Sequence, residues 1–185
     1  MRALAENAID PDGVILSAPM LGLVADEVPF IIRYNVVKLL NKLGLSKKPA
    51  WKVSEKPFSP ESARAKILTH DTERYADEMF WWQQRPDVKL GPASWRWVQQ
   101  AMKSTTALLK AGAIDHIQSK MLILATTADQ LVDTDRIIED AKRLPHCELI
   151  LFGDEAAHEL LRESDGVRDQ CMAHIDRFIR DIKKS

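Results

Sequence analysis

Two residues that can exchange protons follow two short apolar segments of the chain. Residues 121–126 form the first segment, and Asp129 comes just after it. Residues 148–152 form the second, and His158 follows that one. A carboxylate beside an imidazole holds it in one tautomer and stabilises the imidazolium that forms during proton transfer. The pattern therefore predicts an acid–histidine pair of the kind that activates a nucleophile.

The elements around these residues explain how the chain brings them together. Between the two segments, residues 134–144 have apolar side chains at helical spacing, with Asp133 or the following threonine as N-cap and Pro145 as the stop. Two short apolar segments joined by such a helix are typical of parallel strands buried on both faces. Catalytic and ligand-binding groups in such sheets lie just beyond the carboxyl ends of the strands, where Asp129 and His158 fall. This indicates an α/β fold.

Other acidic residues and histidines compete for these roles. Asp133 and Asp135 follow the same strand, but both are better explained by capping the next helix and favouring its N-terminal dipole. The remaining histidines are predicted to be structural, and no pair has metal-ligand spacing on a helix. They are His70, His116, His146 and His174. We therefore predict no metal site and no cofactor.

The rest of the chain divides into a core and a helical layer. Residues 14–18 read as a further strand, and residues 167–182 as an amphipathic helix. Between them, Pro29 opens a helix that ends at Gly44, and three more helices start at Ser59, Asp71 and Ser94. The first of these helices carries an apolar stripe formed by Ile32, Val36, Leu39, Leu40 and Leu43. We predict a core of residues 1–24 and 113–185 and an inserted cap of residues 25–112.

Three segments resemble a known family. Residues 128–132 (ADQLV), 157–165 (AHELLRESD) and 90–97 (LGPASWRW) look like the lysophospholipase and monoacylglycerol lipase branch of the α/β-hydrolases, which is serine aminopeptidase-like. That family runs nucleophile, acid, histidine along the chain, with a helical cap between nucleophile and acid. The resemblance implies a partial α/β-hydrolase fold, a parallel sheet with flanking helices and an inserted helical cap. It also implies ester hydrolysis, with Asp129 as acid and His158 as histidine.

The family's nucleophile elbow is missing from this sequence. None of the ten serines has glycine both two positions before and two positions after it. Residues 1–7 resemble the tail of the helix that follows the elbow. The expectation is a C-terminal part of a serine hydrolase, with no nucleophile in this chain and no activity alone. Its substrate would be a small-molecule lipid or ester.

Three further departures from the family pattern lie near the predicted site. Lys120 stands where a proline is common, and residues 126–127 are threonines where a glycine is usual. Residues 154–155, Asp and Glu, replace Pro-Gly before the histidine. The lost glycine is the residue most tolerant of positive φ. Glu155 is hypothesised to raise the pKa of His158 or to compete for its N–H.

The predicted cap carries aromatic and basic side chains. Trp81, Trp82, Trp95 and Trp97 are candidates for an acyl-binding pocket, with the alternative that they only hold the cap together. Residues 33–66 contain nine Lys or Arg and two Glu, a net charge of +7. Two interpretations stay open: peripheral contact with anionic membranes, to which each surface charge contributes about 1 kcal/mol, and an ordinary solvated face. Aromatic residues are not interleaved with the lysines, which argues against nucleic acid.

The composition indicates a cellular compartment but leaves several functions open. The chain has 185 residues, 45% of them apolar, and a formal charge of −1. Cys147 and Cys171 have no redox or metal spacing, which suits free thiols in the cytoplasm. One alternative is a non-catalytic protein that binds lipid or a partner; another is a different α/β-hydrolase reaction, on an epoxide or a peptide. Residues 14–18 would form an exposed sheet edge, which predicts self-association.

Overall fold

The computed structural model describes residues 1–22, 28–51 and 63–183, which form three strands and their flanking helices. The strands are β1 (Gly13–Ser17), β2 (Lys120–Thr126) and β3 (Cys147–Phe152). The α-helices are α1 (Arg2–Ala5), α2 (Phe30–Leu40), α3 (Ala63–Leu68), α4 (Thr72–Gln84), α5 (Trp95–Leu108), α6 (Thr134–Arg143) and α7 (Asp165–Lys183). A π-helical turn (Asn41–Leu45) follows α2, and single 3₁₀ turns occur at Pro86–Val88 and Leu160–Arg162.

The three strands form one parallel sheet in the order β1-β2-β3. In the register, Leu122 of β2 lies between Ile15 of β1 and Glu148 of β3. Helices α2 to α5 lie between β1 and β2 in the chain, and α6 joins β2 to β3. The predicted α/β class and the strand–helix–strand unit are therefore confirmed.

Strand β2 is buried on both faces, as its continuous apolar sequence predicts. Successive side chains of a strand point to opposite faces, so β2 contributes to two cores. Met121, Ile123 and Ala125 pack with Leu108 of α5 and Ile137 of α6. On the other face, Leu122 and Leu124 pack with Phe152 at the end of β3 and with residues of α7 and of the loop before it, including Leu160, Val167, Cys171 and Phe178.

The helix starts follow the predicted caps wherever the structure describes them. The Asp71 carboxylate accepts from the Arg74 N–H at 2.9 Å, and the Ser94 hydroxyl accepts from the Trp97 N–H at 3.2 Å. Gly44 has a φ of +83°, the left-handed conformation that closes a helix. The predicted start at Ser59 lies outside the described residues, and the corresponding helix is described from residue 63. The exact division into core and cap stays a prediction.

Helix α2 presents its apolar stripe outwards, which the sequence does not reveal. Ile32, Val36 and Leu39, and Leu43 in the turn that follows, are 49–67% exposed, whereas Val37 is buried. Helix α2 packs on α5 through its opposite side. There the Asn41 side-chain amide donates to the Trp95 carbonyl at 3.2 Å and to Gln99 Oε1 at 2.9 Å. These contacts select which side of the helix is covered.

A buried carboxylate joins α6 to the loop after α5. Asp140 has no exposed side-chain surface, and its carboxylate contacts the guanidinium groups of Arg136 and Arg143. Burial raises the pKa of Asp140, and the two arginines offset only part of that effect. Arg143 also donates to the carbonyl oxygens of Leu108 and Lys110, at 2.9 and 2.8 Å. The cluster therefore fixes α6 relative to the end of α5.

Other sequence predictions concern edges, thiols and membranes. Within the described residues β1 pairs with β2 alone, so its other edge has no strand beside it, and self-association through this edge stays a prediction. Cys147 and Cys171 are both free, and burial raises the pKa of each thiol to about 11. No helix in the described part of the chain combines the length and the apolar character that crossing a membrane requires.

Candidate active site

The ends of β2 and β3 are tied together by a buried threonine. The Thr126 hydroxyl lies 2.8 Å from the carbonyl oxygens of both Gly153 and Ala156, to either of which it donates. The same oxygen accepts from the Ala128 N–H at 3.1 Å. One side chain therefore links the loop that carries Asp129 to the loop that carries His158. The unusual threonine at position 126 thus has a structural role here.

The structure brings Asp129 and His158 into direct contact. Asp129 Oδ2 lies 2.8 Å from His158 Nδ1. The other carboxylate oxygen accepts from the backbone N–H groups of Leu131 and Val132, at 2.8 and 3.1 Å. The Asp129 side chain is only 1% exposed and the His158 side chain is 22% exposed. Both carboxylate oxygens of Asp129 therefore have hydrogen-bond partners, and the imidazole of His158 is partly exposed to solvent.

The contact changes the pKa of both groups in the directions that favour an ion pair. The hydrogen bond to Asp129 raises the pKa of His158 above its usual value. Burial acts in the opposite direction and lowers this pKa, whereas the negative charge of Glu159 raises it further. Burial raises the pKa of Asp129, but the bonds from His158, Leu131 and Val132 outweigh it, so the net shift of that pKa is downwards. Asp129 is ionised at neutral pH as a result.

The second imidazole nitrogen is left available. No residue that the structure describes makes a hydrogen bond to His158 Nε2. Because Asp129 faces Nδ1, the neutral imidazole carries its proton on Nδ1 and has a free lone pair on Nε2. A histidine in this state can accept a proton from a hydroxyl placed near Nε2.

The competing acids have other partners. The Asp133 carboxylate accepts from the Arg136 N–H at 3.0 Å and caps α6, as predicted. Asp135 lies in the first turn of α6, where it favours the helix dipole. Glu155 accepts from the Gly153 N–H at 3.0 Å, and the acidic groups that raise the pKa of His158 are Asp129 and Glu159. The hypothesis that Glu155 perturbs His158 has no support in this geometry.

The four tryptophans fall in two places. Trp81 and Trp82, at the end of α4, line an open cavity of about 380 Å³ together with Asp77, Glu78, Val88 and Arg162. Trp95 and Trp97 begin α5, where the Trp95 N–H donates to the Lys48 carbonyl at 3.1 Å. The structure therefore does not bring the four together around one cavity. Their role in binding substrate stays a prediction.

A second cavity, which was not expected from the sequence, has in its lining Leu21, which follows β1, and Asp133, which follows β2. It measures about 250 Å³ and lies between α2 and α5. Its apolar lining comes from Leu21, Phe30, Met102 and Leu109, and its polar and charged lining includes Thr105, Asp133, Arg33 and Arg136. The only sequence signal was the apolar face of α5, which reads equally well as core. Among the described residues no group of three His, Cys, Asp or Glu is placed to hold a metal ion.

Comparison with known proteins assigns the chain to a family. Residues 1–165 match the family model Hydrolase_4, described as serine aminopeptidase, S33. The chain belongs to this family. No curated protein has a sequence that matches the chain. The family resemblance of the sequence is therefore confirmed.

Solved structures resemble this S33-family chain over nearly all of its length. A soluble variant of monoglyceride lipase from Saccharomyces cerevisiae, in complex with a substrate analogue, has a TM-score of 0.69 at 17% identity, covering 97% of this chain and 57% of that one. A carboxyl esterase from Bacillus coagulans has 0.64 at 16%, covering 97% and 59%. A monoacylglycerol lipase from Paleococcus ferrophilus has 0.62 at 17%, covering 100% and 63%. The predicted partial α/β-hydrolase fold is confirmed, and the chain spans about 57–63% of the length of these proteins.

Proposed function

We propose that this chain supplies the acid and the histidine of a serine hydrolase that cleaves carboxylic esters. The observation that carries the proposal is the 2.8 Å contact between Asp129 Oδ2 and His158 Nδ1, with Nε2 facing no partner in the described residues. No serine here has the elbow pattern, so the proposal assigns the nucleophile to residues outside this chain. The chain by itself is then inactive.

The roles follow from the protonation states. A serine hydroxyl near His158 gives its proton to Nε2 as its oxygen attacks the ester carbonyl. Asp129 stabilises the imidazolium that results and keeps the ring in one orientation. The imidazolium then protonates the departing alcohol, and a water molecule repeats the sequence to release the acid.

The substrate we favour is an ester with one acyl chain, such as a monoacylglycerol or a lysophospholipid. The cavity between α2 and α5 lies at the same end of the sheet as Asp129, since Leu21 follows β1 and Asp133 follows β2. An acyl chain gains about 0.8 kcal/mol for each CH₂ that it buries in such a lining. The proposal therefore assigns the acyl chain to this cavity. The family and the fold support a lipase-like hydrolase, and two of the solved structures that resemble this chain are a monoglyceride lipase and a monoacylglycerol lipase.

The first test uses a fluorophosphonate probe, which labels activated serines. We expect labelling only in a protein extended upstream of residue 1 through the nucleophile elbow, and not in the 185-residue chain. In the extended protein, His158→Ala should slow labelling by about 10³-fold or more, because the serine loses its base.

A matched control is His174→Ala, since His174 lies on α7 and contacts Arg177. It should leave the labelling rate unchanged. Labelling of neither protein would favour the non-catalytic binder or an epoxide hydrolase. Labelling of the short chain would contradict the assignment of the nucleophile.

We further propose that α2 rests on an anionic lipid surface. Ile32, Val36, Leu39 and Leu43 recur at helical spacing and are exposed. Lys38 and Lys42 are also exposed on the same helix and its last turn. Exposed apolar side chains can enter the membrane interface, and lysines beside them attract anionic lipid headgroups. The proposal therefore assigns the predicted membrane contact to α2.

Sedimentation with phosphatidylserine-containing vesicles tests this contact. Leu39→Ser and Leu43→Ser are each expected to lower the partition coefficient about tenfold, because each removes one leucine from the lipid. Leu90→Ser is the matched control, since Leu90 is 86% exposed but lies outside α2. Equal losses in all three variants, or no binding by the unchanged chain, would contradict the assignment to α2.

A further inference from the structure

The loop that carries His158 is bonded along its length to the helical layer. The His158 N–H donates to the Ile67 carbonyl at 3.4 Å, and the Glu159 N–H donates to the Leu68 carbonyl at 2.8 Å. The Thr69 hydroxyl donates to the Arg162 carbonyl at 2.8 Å. The end of α3 therefore runs beside the histidine loop.

Glu163 lies at the centre of this junction. Its side chain has no exposed surface. One carboxylate oxygen accepts from the Ala157 N–H at 2.8 Å and from the His70 N–H at 3.1 Å, and lies 3.0 Å from His70 Nδ1. The other accepts from the Ser164 N–H at 3.2 Å. A carboxylate is costly to bury unless donors surround it, and here the histidine loop and the helical layer both provide them.

The bond to Ala157 acts directly beside His158. Ala157 is the preceding residue, and its N–H is fixed by Glu163 while the next N–H, that of His158, is fixed by Ile67. These two anchors set the backbone from which the imidazole reaches Asp129. The buried carboxylate is therefore in a position to control the geometry of the pair, although it touches neither side chain of it.

We infer that Glu163 is a positioning residue for His158 and that His70 connects this carboxylate to the cap. This inference rests on the proposed function for its catalytic meaning. A movement of the segment after α3 would then change the geometry of the Asp129–His158 pair, because the Glu163 carboxylate is bonded to both segments. The link has two parts, because the His70 backbone and the His70 ring both contact Glu163.

Nuclear magnetic resonance of the 185-residue chain, labelled with ¹⁵N at histidine, tests the inference without any need for turnover. In the unchanged chain we expect a downfield proton signal for His158 Nδ1–H, because Asp129 accepts this proton. Glu163→Gln keeps the size of the side chain but replaces one acceptor oxygen with a donor group. We expect this variant to weaken or lose the downfield signal and to bring the pKa of His158 back towards its ordinary value of about 6.5.

His70→Ala provides the milder second variant, because it removes the ring contact and leaves the backbone bond to Glu163 in place. We expect it to change the His158 signals in the same direction by a smaller amount. Thr69→Val is the matched control. It removes the hydroxyl that donates to the Arg162 carbonyl and accepts from the Asp71 N–H at 3.0 Å, and neither of these bonds involves Ala157, His158 or Glu163.

Two results would overturn the inference. One is an unchanged His158 in a folded Glu163→Gln variant, or in His70→Ala if the first variant fails to fold. The other is a Thr69→Val variant that moves His158 as far as Glu163→Gln does, because general docking of the cap would then explain the effect. A failure of fluorophosphonate labelling bears only on the hydrolase proposal, so the two failures are distinguishable.

Discussion

Replacing Asp129 by asparagine is expected to lower kcat for ester hydrolysis about 10⁴-fold in a protein extended upstream through its nucleophile. Asparagine retains the shape of the side chain, but it cannot stabilise the imidazolium and does not impose the correct tautomer on His158. KM should change little, because the Asp129 side chain is buried behind the imidazole. Steady-state hydrolysis of a monoacylglycerol measures both constants.

The matched control for this substitution is Asp135→Asn. Asp135 follows the same strand, but it lies in the first turn of α6 and is not among the residues that line the cavity between α2 and α5. We therefore expect nearly unchanged kcat and only a small fall in the unfolding midpoint, because asparagine loses the favourable interaction with the helix dipole. A loss of similar size in both variants would mean that the acid has been assigned to the wrong residue.

The same Asp129→Asn substitution has a pH signature in the 185-residue chain. The lowered pKa of Asp129 gives a contribution to stability that is present above about pH 3.9 and is lost as the pH falls through the folded pKa. The raised pKa of His158 gives one that is present below about pH 6.5 and is lost as the pH rises through the folded pKa. Urea unfolding of both chains should therefore differ most between about pH 4 and 6.5.

Replacing Asp140 by alanine is expected to lower the free energy of unfolding by about 3–5 kcal/mol, the usual effect of removing one member of a buried ion pair. The Asp140 side chain is fully buried, and Arg136 Nε donates to it at 3.1 Å and Arg143 Nη1 at 3.0 Å. Without the carboxylate, the Arg136 guanidinium stays mostly buried and loses its principal partner. Equilibrium unfolding in urea measures the change.

Glu139→Ala is the control for this cluster. Glu139 contacts the same arginine at 3.2 Å, but its side chain is 65% exposed. Exposed pairs contribute about 0–1 kcal/mol, so this variant should unfold close to the unchanged chain. Equal losses in the two variants would show that burial of Asp140 is not what makes its contacts important.

Local sequence patterns were sufficient for most of the secondary structure near the site. The caps at Asp71, Ser94 and Asp133 and the left-handed Gly44 were predicted correctly, because each depends on bonds or backbone angles within a few residues. Strand β2 was also recognised, since an apolar segment of that length suits a strand buried on both faces. The contact between Asp129 and His158 followed from two parallel strands that end at the same edge.

What the sequence alone determined about this protein is thus the strand–helix–strand unit, its family resemblance and the two residues at its edge. Only the tertiary structure decided that the α2 stripe points outwards, that the tryptophans separate into two places, and that Thr126 and Glu163 fix the two loops. The physical reason is the range of the interactions. Helices and turns are set by neighbours in sequence, whereas the covered side of a helix and the donors around a buried carboxylate come from distant segments.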